Sequence, residues 1–108
     1  MMNTERVLDA LGDPTRRLVF KRLRNGTRSV REIAQGMDVS RPAVSQHLKV
    51  LKAAGLVVVR AEGTRRLYAV DRRAIEALRA WLDGFWDEAL AAFKETAEGE
   101  ATRRRKPQ

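Results

Sequence analysis

A chain of 108 residues has room for one domain around a single core and not for two. It contains no cysteine, which excludes disulfides, thiolate metal sites and cysteine nucleophiles together and fits a reducing compartment. The net charge of +8 and the pI near 11.0 favour a polyanionic partner, either nucleic acid or an anionic membrane surface.

The first stretch, MMNTERVLDALGDP, carries acidic residues and no continuous apolar run. No segment approaches the roughly 20 apolar residues that span a bilayer, so a cytoplasmic location is expected. Thr4 to Leu11 is predicted as a short helix with Val7, Leu8 and Leu11 on one side, ended by Gly12. Asp13-Pro14 starts the second helix, with Asp as N-cap and Pro where its missing N–H is harmless. This helix turns Leu18, Val19 and Leu23 inward and stops at Asn25-Gly26. Ser29 opens the third, and Glu32 three residues on makes a capping box; Val30, Ile33, Ala34 and Met37 form its apolar side.

Ser40 caps the fourth helix, in which Val44, Leu48 and Leu51 fall on one face and Gly55 closes the element. Arg41, Ser45, Lys49 and Lys52, with Pro42 and Gln46 beside them, are left for solvent or a ligand. The third and fourth helices, joined by the short GMDV turn, make a helix-turn-helix. The period then changes: LVVVRA and RRLYAV around EGT read as a hairpin, a two-stranded wing. From Asp71 the pattern is helical to about Ala97, with an apolar stripe wider than packing on one side requires. Residues 99–108 read as a disordered basic tail. The expected fold is therefore mainly α with a small β-hairpin, a winged helix-turn-helix in the order α-α-α-α-β-β-α over residues 1–98.

Charge is distributed unevenly along this chain. From Ser40 to Arg73 eight Lys and Arg stand against Glu62 and Asp71, a net +6, whereas Ala74 to Glu98 carries two basic and six acidic residues, a net −4. The apolar last helix is thus the acidic part, the reverse of an anionic-lipid binder, and no membrane partner is expected. A polar helix, a basic hairpin and a positive charge occurring together fit duplex DNA. In that reading Ser40, Arg41, Pro42, Ser45, Gln46 and His47 meet base edges or phosphates, and Lys49 and Lys52 approach the backbone. Arg60, Arg65 and Arg66 on the wing fall near the flanking minor groove or phosphates. The competing reading is a solvated helix face in a protein-interaction module or anti-activator, which holds its partner through the aromatic last helix and has only non-specific affinity for DNA.

SRPAVSQHLKVLKAAGLVVVRAEGTRRLYAV resembles the ArsR-type winged helix-turn-helix repressors, whose recognition helix and wing read S-x-x-x-x-S-x-H-L-x-x-L-x-x-A-G-L-V followed by a basic hairpin. LGDPTRRLVFKRLRNG resembles the same family's second helix. The resemblance implies a homodimeric bacterial repressor that binds a double-stranded, pseudo-palindromic operator and acts without a cofactor. His47 matches the histidine of the S-x-H-L segment, which positions the recognition helix or meets the DNA. Metal-sensing members carry C-V-C where this chain has Ser29, Val30 and Arg31, so both thiolates are replaced and a cation stands at the metal's place. Zinc-sensing members use His and carboxylates on the last helix, and this last helix has no His, so no metal site is expected.

The family places its dimer contacts on the two terminal helices, which implies an interface of Val7, Leu8 and Leu11 with Leu78, Trp81, Leu82, Phe85, Trp86, Ala89 and Phe93. The same aromatics can also cap their own chain's core, or line a pocket for a small effector. The inducer, small molecule or protein, stays open. A glycine-rich phosphate loop, paired catalytic carboxylates and a nucleophile–base pair are all missing, so no catalytic residue is assigned and no enzyme is expected.

Overall fold

Each of the first four helices begins on a capping side chain, and for the second to fourth it is the one the sequence nominates. In the structure, a computed structural model describing residues 3–104, Asn3 Oδ1 accepts from Arg6 N–H at 3.3 Å and opens α1 (Thr4–Gly12). Asp13 Oδ1 accepts from Arg16 N–H at 2.9 Å and opens α2 (Pro14–Lys21). A two-residue strand, β1 (Arg28–Ser29), precedes α3 (Val30–Ala34). Here Ser29 Oγ accepts from Glu32 N–H at 3.2 Å while Glu32 Oε1 accepts from Ser29 N–H at 3.0 Å, a complete capping box. Ser40 caps α4 (Arg41–Ala53). At its far end Leu56 N–H donates to Leu51 O and Gly55 N–H to Lys52 O, both at 3.0 Å. Gly55 has φ +83, so this is a Schellman motif whose left-handed position only glycine fills without strain.

The hairpin follows at once: β2 (Val57–Glu62) and β3 (Arg65–Val70) pair antiparallel in the register Val57↔Val70 to Glu62↔Arg65. The two-residue turn Gly63-Thr64 starts at φ +62, the positive value that lets a tight turn follow the strand twist. β1 adds to the other edge of β3 through Arg28↔Tyr68 and Ser29↔Leu67, giving a three-stranded sheet in the order β1-β3-β2. This third strand is absent from the sequence reading, because two residues are too short for a period. Asp71 N–H donates to Leu56 O, and its carboxylate accepts from Arg73 N–H to start α5 (Arg72–Arg104).

Val7, Val19, Ile33, Val44, Leu48 and Leu51 are fully buried, so all four leading helices turn their apolar faces to one core. Two face assignments need correction. Leu18 is 44% exposed, because the buried side of α2 is carried by Val19 and continues to Leu23 in the turn beyond the helix. In α1 the buried pair is Val7 and Ala10, one turn apart; Leu8 is exposed and Leu11 half-buried. Residues 99–104, expected as tail, continue α5 beyond the predicted end near Ala97, and 105–108 lie outside the described residues.

The described residues fall into two units, one up to Ala77 and one from Leu78. The first holds the core, the helix-turn-helix and the sheet. The second is a single helical rod whose Trp81, Leu82, Phe85, Trp86, Leu90 and Phe93 are exposed, with Trp81 and Phe85 stacked at 6.0 Å between ring centroids. No helix among the described residues is long and apolar enough to cross a membrane.

Candidate nucleic-acid interface

At 100° per residue, burying Val44, Leu48 and Leu51 divides the rest of α4 into three strips. Pro42, Gln46 and Lys49 point away from the core and are exposed. Ser45, Lys49 and Lys52 flank the sheet side, where they line one groove with Val30, Val59, Arg66 and Tyr68. His47 lies on the opposite flank and is half-buried. Its charge, after the Arg16 N–H and the Arg16 guanidinium, helps hold the Asp13 carboxyl below the usual carboxylate range. Ser40 is exposed at the helix start, its hydroxyl already accepting from Ala43 N–H at 3.2 Å.

The pleat sorts the wing arginines that the sequence grouped together. Successive strand residues face opposite sides, so Arg66 shares a face with Tyr68 and Val59, while Arg65 shares the other with Arg60 and Leu67. Arg66 therefore joins Lys49 and Lys52 in the groove beside α4. Arg65 Nη2 instead donates to Glu32 Oε1 at 2.8 Å, tying β3 to the capping box of α3. Arg60 Nη2 stands 3.6 Å from Glu62 Oε2 at the wing's end. The Glu32 carboxyl is held below its ordinary range by the Ser29 N–H above all, with the Ser29 hydroxyl and the Arg65 and Arg28 charges adding to it.

Two residues join the surface that the sequence did not nominate for DNA. Arg31, exposed on α3, shares a concavity with Arg41 at the first turn of α4. Tyr68 brings a phenolic hydroxyl to the groove from a strand. Its place shows only once β3 is registered on β2, whereas Arg31 was legible as an exposed cation in the first turn of the third helix. Of the apolar residues nominated for a dimer interface, Val7 is fully buried in its own chain and belongs to the core instead. Leu78 and Leu11 are half-buried, and Leu8 and Ala89 are exposed along with the nominated aromatics and Leu82. Among the described residues no three His, Asp or Glu side chains cluster as metal ligands.

A capped polar helix beside a basic three-stranded wing is the arrangement of a winged helix-turn-helix that docks on duplex DNA. The family described as "Helix-turn-helix domain" matches residues 11–60. The chain is 49% identical over 96 residues to the HTH-type transcriptional regulator Rv2034 of Mycobacterium tuberculosis, covering 89% of this chain and 90% of that one. An ArsR-like transcriptional regulator from Rhodococcus sp. RHA1 superposes with a TM-score of 0.73 at 31% identity, over 87% of this chain and 92% of that one. The homodimeric winged helix-turn-helix DNA-binding domain of Mb0332 from Mycobacterium bovis superposes with a TM-score of 0.63 at 34% identity, over 80% of each. The chain belongs to the ArsR-type winged helix-turn-helix transcriptional regulators, a DNA-binding and not an enzymatic class.

Proposed function

We propose that this regulator is a cytoplasmic homodimeric repressor that binds a pseudo-palindromic operator, one recognition helix per half-site, with no metal switch. The observation that carries the proposal is the groove in which Ser45, Lys49 and Lys52 of α4 meet Arg66 and Tyr68 of the wing. It sets phosphate-binding groups beside an outward strip containing Gln46, a side chain able to bond adenine at two points. Supporting a dimer, the helix beyond Leu78 exposes two Trp and two Phe, more apolar surface than a monomer ordinarily leaves to water, and the Mycobacterium bovis relative is described as homodimeric. Two-fold symmetry then asks for half-sites about one helical turn apart, ~34–36 Å. Ser29 and Arg31, at the two positions where metal-sensing members carry thiolates, support control by a signal other than a soft metal.

The deciding experiment selects bound duplexes from a random pool and titrates the winner against a scrambled sequence, with zinc and with chelator. A preference of about a thousandfold or more, the same in both, is expected. Equal, weak binding of both duplexes would refute it. That result would favour the second reading, a protein-interaction module working through the exposed aromatic helix, which a mixed complex on sizing chromatography would then reveal.

A further inference from the structure

Basic residues gather at a second place, away from the recognition helix. Where α2 ends, the chain turns through Arg24 and Asn25 into β1, and Lys21, Arg22, Arg24 and Arg28 line one concavity with Glu32 and Gln35 of the α3 region. Two of these cations are fixed by the backbone. Arg22 Nη1 donates to Gln35 O at 2.6 Å and Arg28 Nε donates to Arg22 O at 3.0 Å, each leaving further N–H groups for a ligand. Among the described residues none of the four cations has a carboxylate within the 4.0 Å of an ion pair. The one acid in the concavity, Glu32, is already engaged by Ser29 N–H and Arg65. A single base in the last turn of α2 would complement the helix dipole. Four cations on one concavity exceed that need, and an anion seated among them would relieve their mutual repulsion.

We propose that this corner is a phosphate site for the DNA backbone, outside the recognition helix and the wing. The inference rests on the docking of α4 in the groove as read above. The anion is assigned to the duplex and not to a free metabolite because the corner adjoins the surface on which α4 docks. The corner shares Gln35 with the concavity that Arg31 and Arg41 line at the first turn of α4, and it shares Glu32, whose carboxylate Arg65 already pairs, with a concavity lined by Arg65 and Arg66. A duplex seated on α4 therefore has Arg41 and Arg31 between its flanking phosphates and the cations of the corner. Contacts of this kind position the complex and carry no sequence information.

Lys21 and Arg24 are exposed and, among the described residues, hold no side-chain hydrogen bond, so replacing them leaves the fold intact. The test compares the full-length protein, its Lys21→Ala/Arg24→Ala variant and Lys49→Ala by anisotropy on a random-sequence duplex several helical turns long, over a salt series. The double variant is expected to lower the slope of log affinity against log salt by about one for each cation removed per bound protomer. Lys49→Ala, which tests the docking of α4, should lower it too. An unchanged slope in the double variant with a lowered one in Lys49→Ala overturns the corner while the main reading stands. No change in any variant overturns both. Unaltered duplex binding together with inorganic tripolyphosphate binding that the double variant abolishes would assign the corner to a free anion and refute the DNA assignment.

Discussion

Arg65 and Arg66 are adjacent in sequence, yet removing their guanidinium groups should have different consequences. Arg66 faces the groove beside α4, and among the described residues it has no carboxylate within ion-pair distance. Arg65 is on the opposite face, 2.8 Å from Glu32. One phosphate contact contributes a slope of about −0.9 to log affinity against log salt. A fourfold rise in salt, from about 50 to about 200 mM, weakens such a contact by about 3.5-fold. Arg66→Ala should therefore bind DNA more weakly than the parent, and the ratio of their affinities should shrink about 3.5-fold per bound protomer across that range. Arg65 must leave Glu32 to reach a phosphate, so Arg65→Ala should change the slope by less than half as much. Glu32→Gln keeps an oxygen for the Ser29 N–H and removes the charge that holds Arg65; in that background Arg65→Ala should approach the effect of Arg66→Ala. Anisotropy titrations at four or five salt concentrations measure all of these. Equal slopes for Arg65→Ala and Arg66→Ala in the parent background would refute the division of the wing into two faces.

Gln46→Ala should relax sequence preference by about 1–3 kcal/mol if this side chain reads a base, measured as the ratio of operator to scrambled affinity. Leu48, fully buried in the middle of α4, should cost about 2–5 kcal/mol on replacement by Ala, read from the denaturation midpoint at unchanged slope. The carboxyls of Asp13, Glu32 and Asp71 all lie below their ordinary range, each through hydrogen bonds at a helix start. A carboxylate with a depressed folded pKa stabilises the fold above its unfolded value and loses that contribution as pH falls through the folded one. Melting temperature should therefore fall on acidification below the ordinary carboxylate range, and less steeply in Asp13→Asn, where the amide oxygen still caps α2 without titrating. Trp86→Glu should shift the proposed dimer toward monomer in sedimentation and leave the far-ultraviolet spectrum helical, since this Trp is 61% exposed in the single chain.

Local rules made most of the fold legible. Asp13, Ser29 and Ser40 each accept from the backbone N–H three residues on, as their residue types and spacing require. Gly55 and Gly63 sit at positive φ where the helix stop and the hairpin turn were expected. What escaped reading depends on partners far along the chain. β1 exists only because Ser29 and Arg28 pair with Leu67 and Tyr68 nearly forty residues later. The Arg65–Glu32 contact joins positions 33 residues apart, so three wing arginines looked equivalent until the register was known. Val7 was assigned to a surface because an apolar side chain near a terminus carries no mark of whether its own chain or a second one covers it.

These long-range contacts explain how so small a domain holds a reading helix steady. Ser40 fixes the start of α4 and the Schellman bonds through Gly55 and Leu56 fix its end. Because Leu56 O also accepts from Asp71 N–H at 2.9 Å, the same residue that closes α4 anchors the return of β3 from the wing. Helix and wing are thus set by one short segment, Gly55 to Val57, and a change there moves both. A side chain at position 55 would meet open space yet force a left-handed backbone on an L-residue. Gly55→Ala should consequently lower stability by more than the loss of flexibility alone explains, and should disturb DNA affinity with every exposed polar contact of α4 still present. If Gly55→Ala instead melted and bound as the parent does, the segment would not be the element that couples helix to wing.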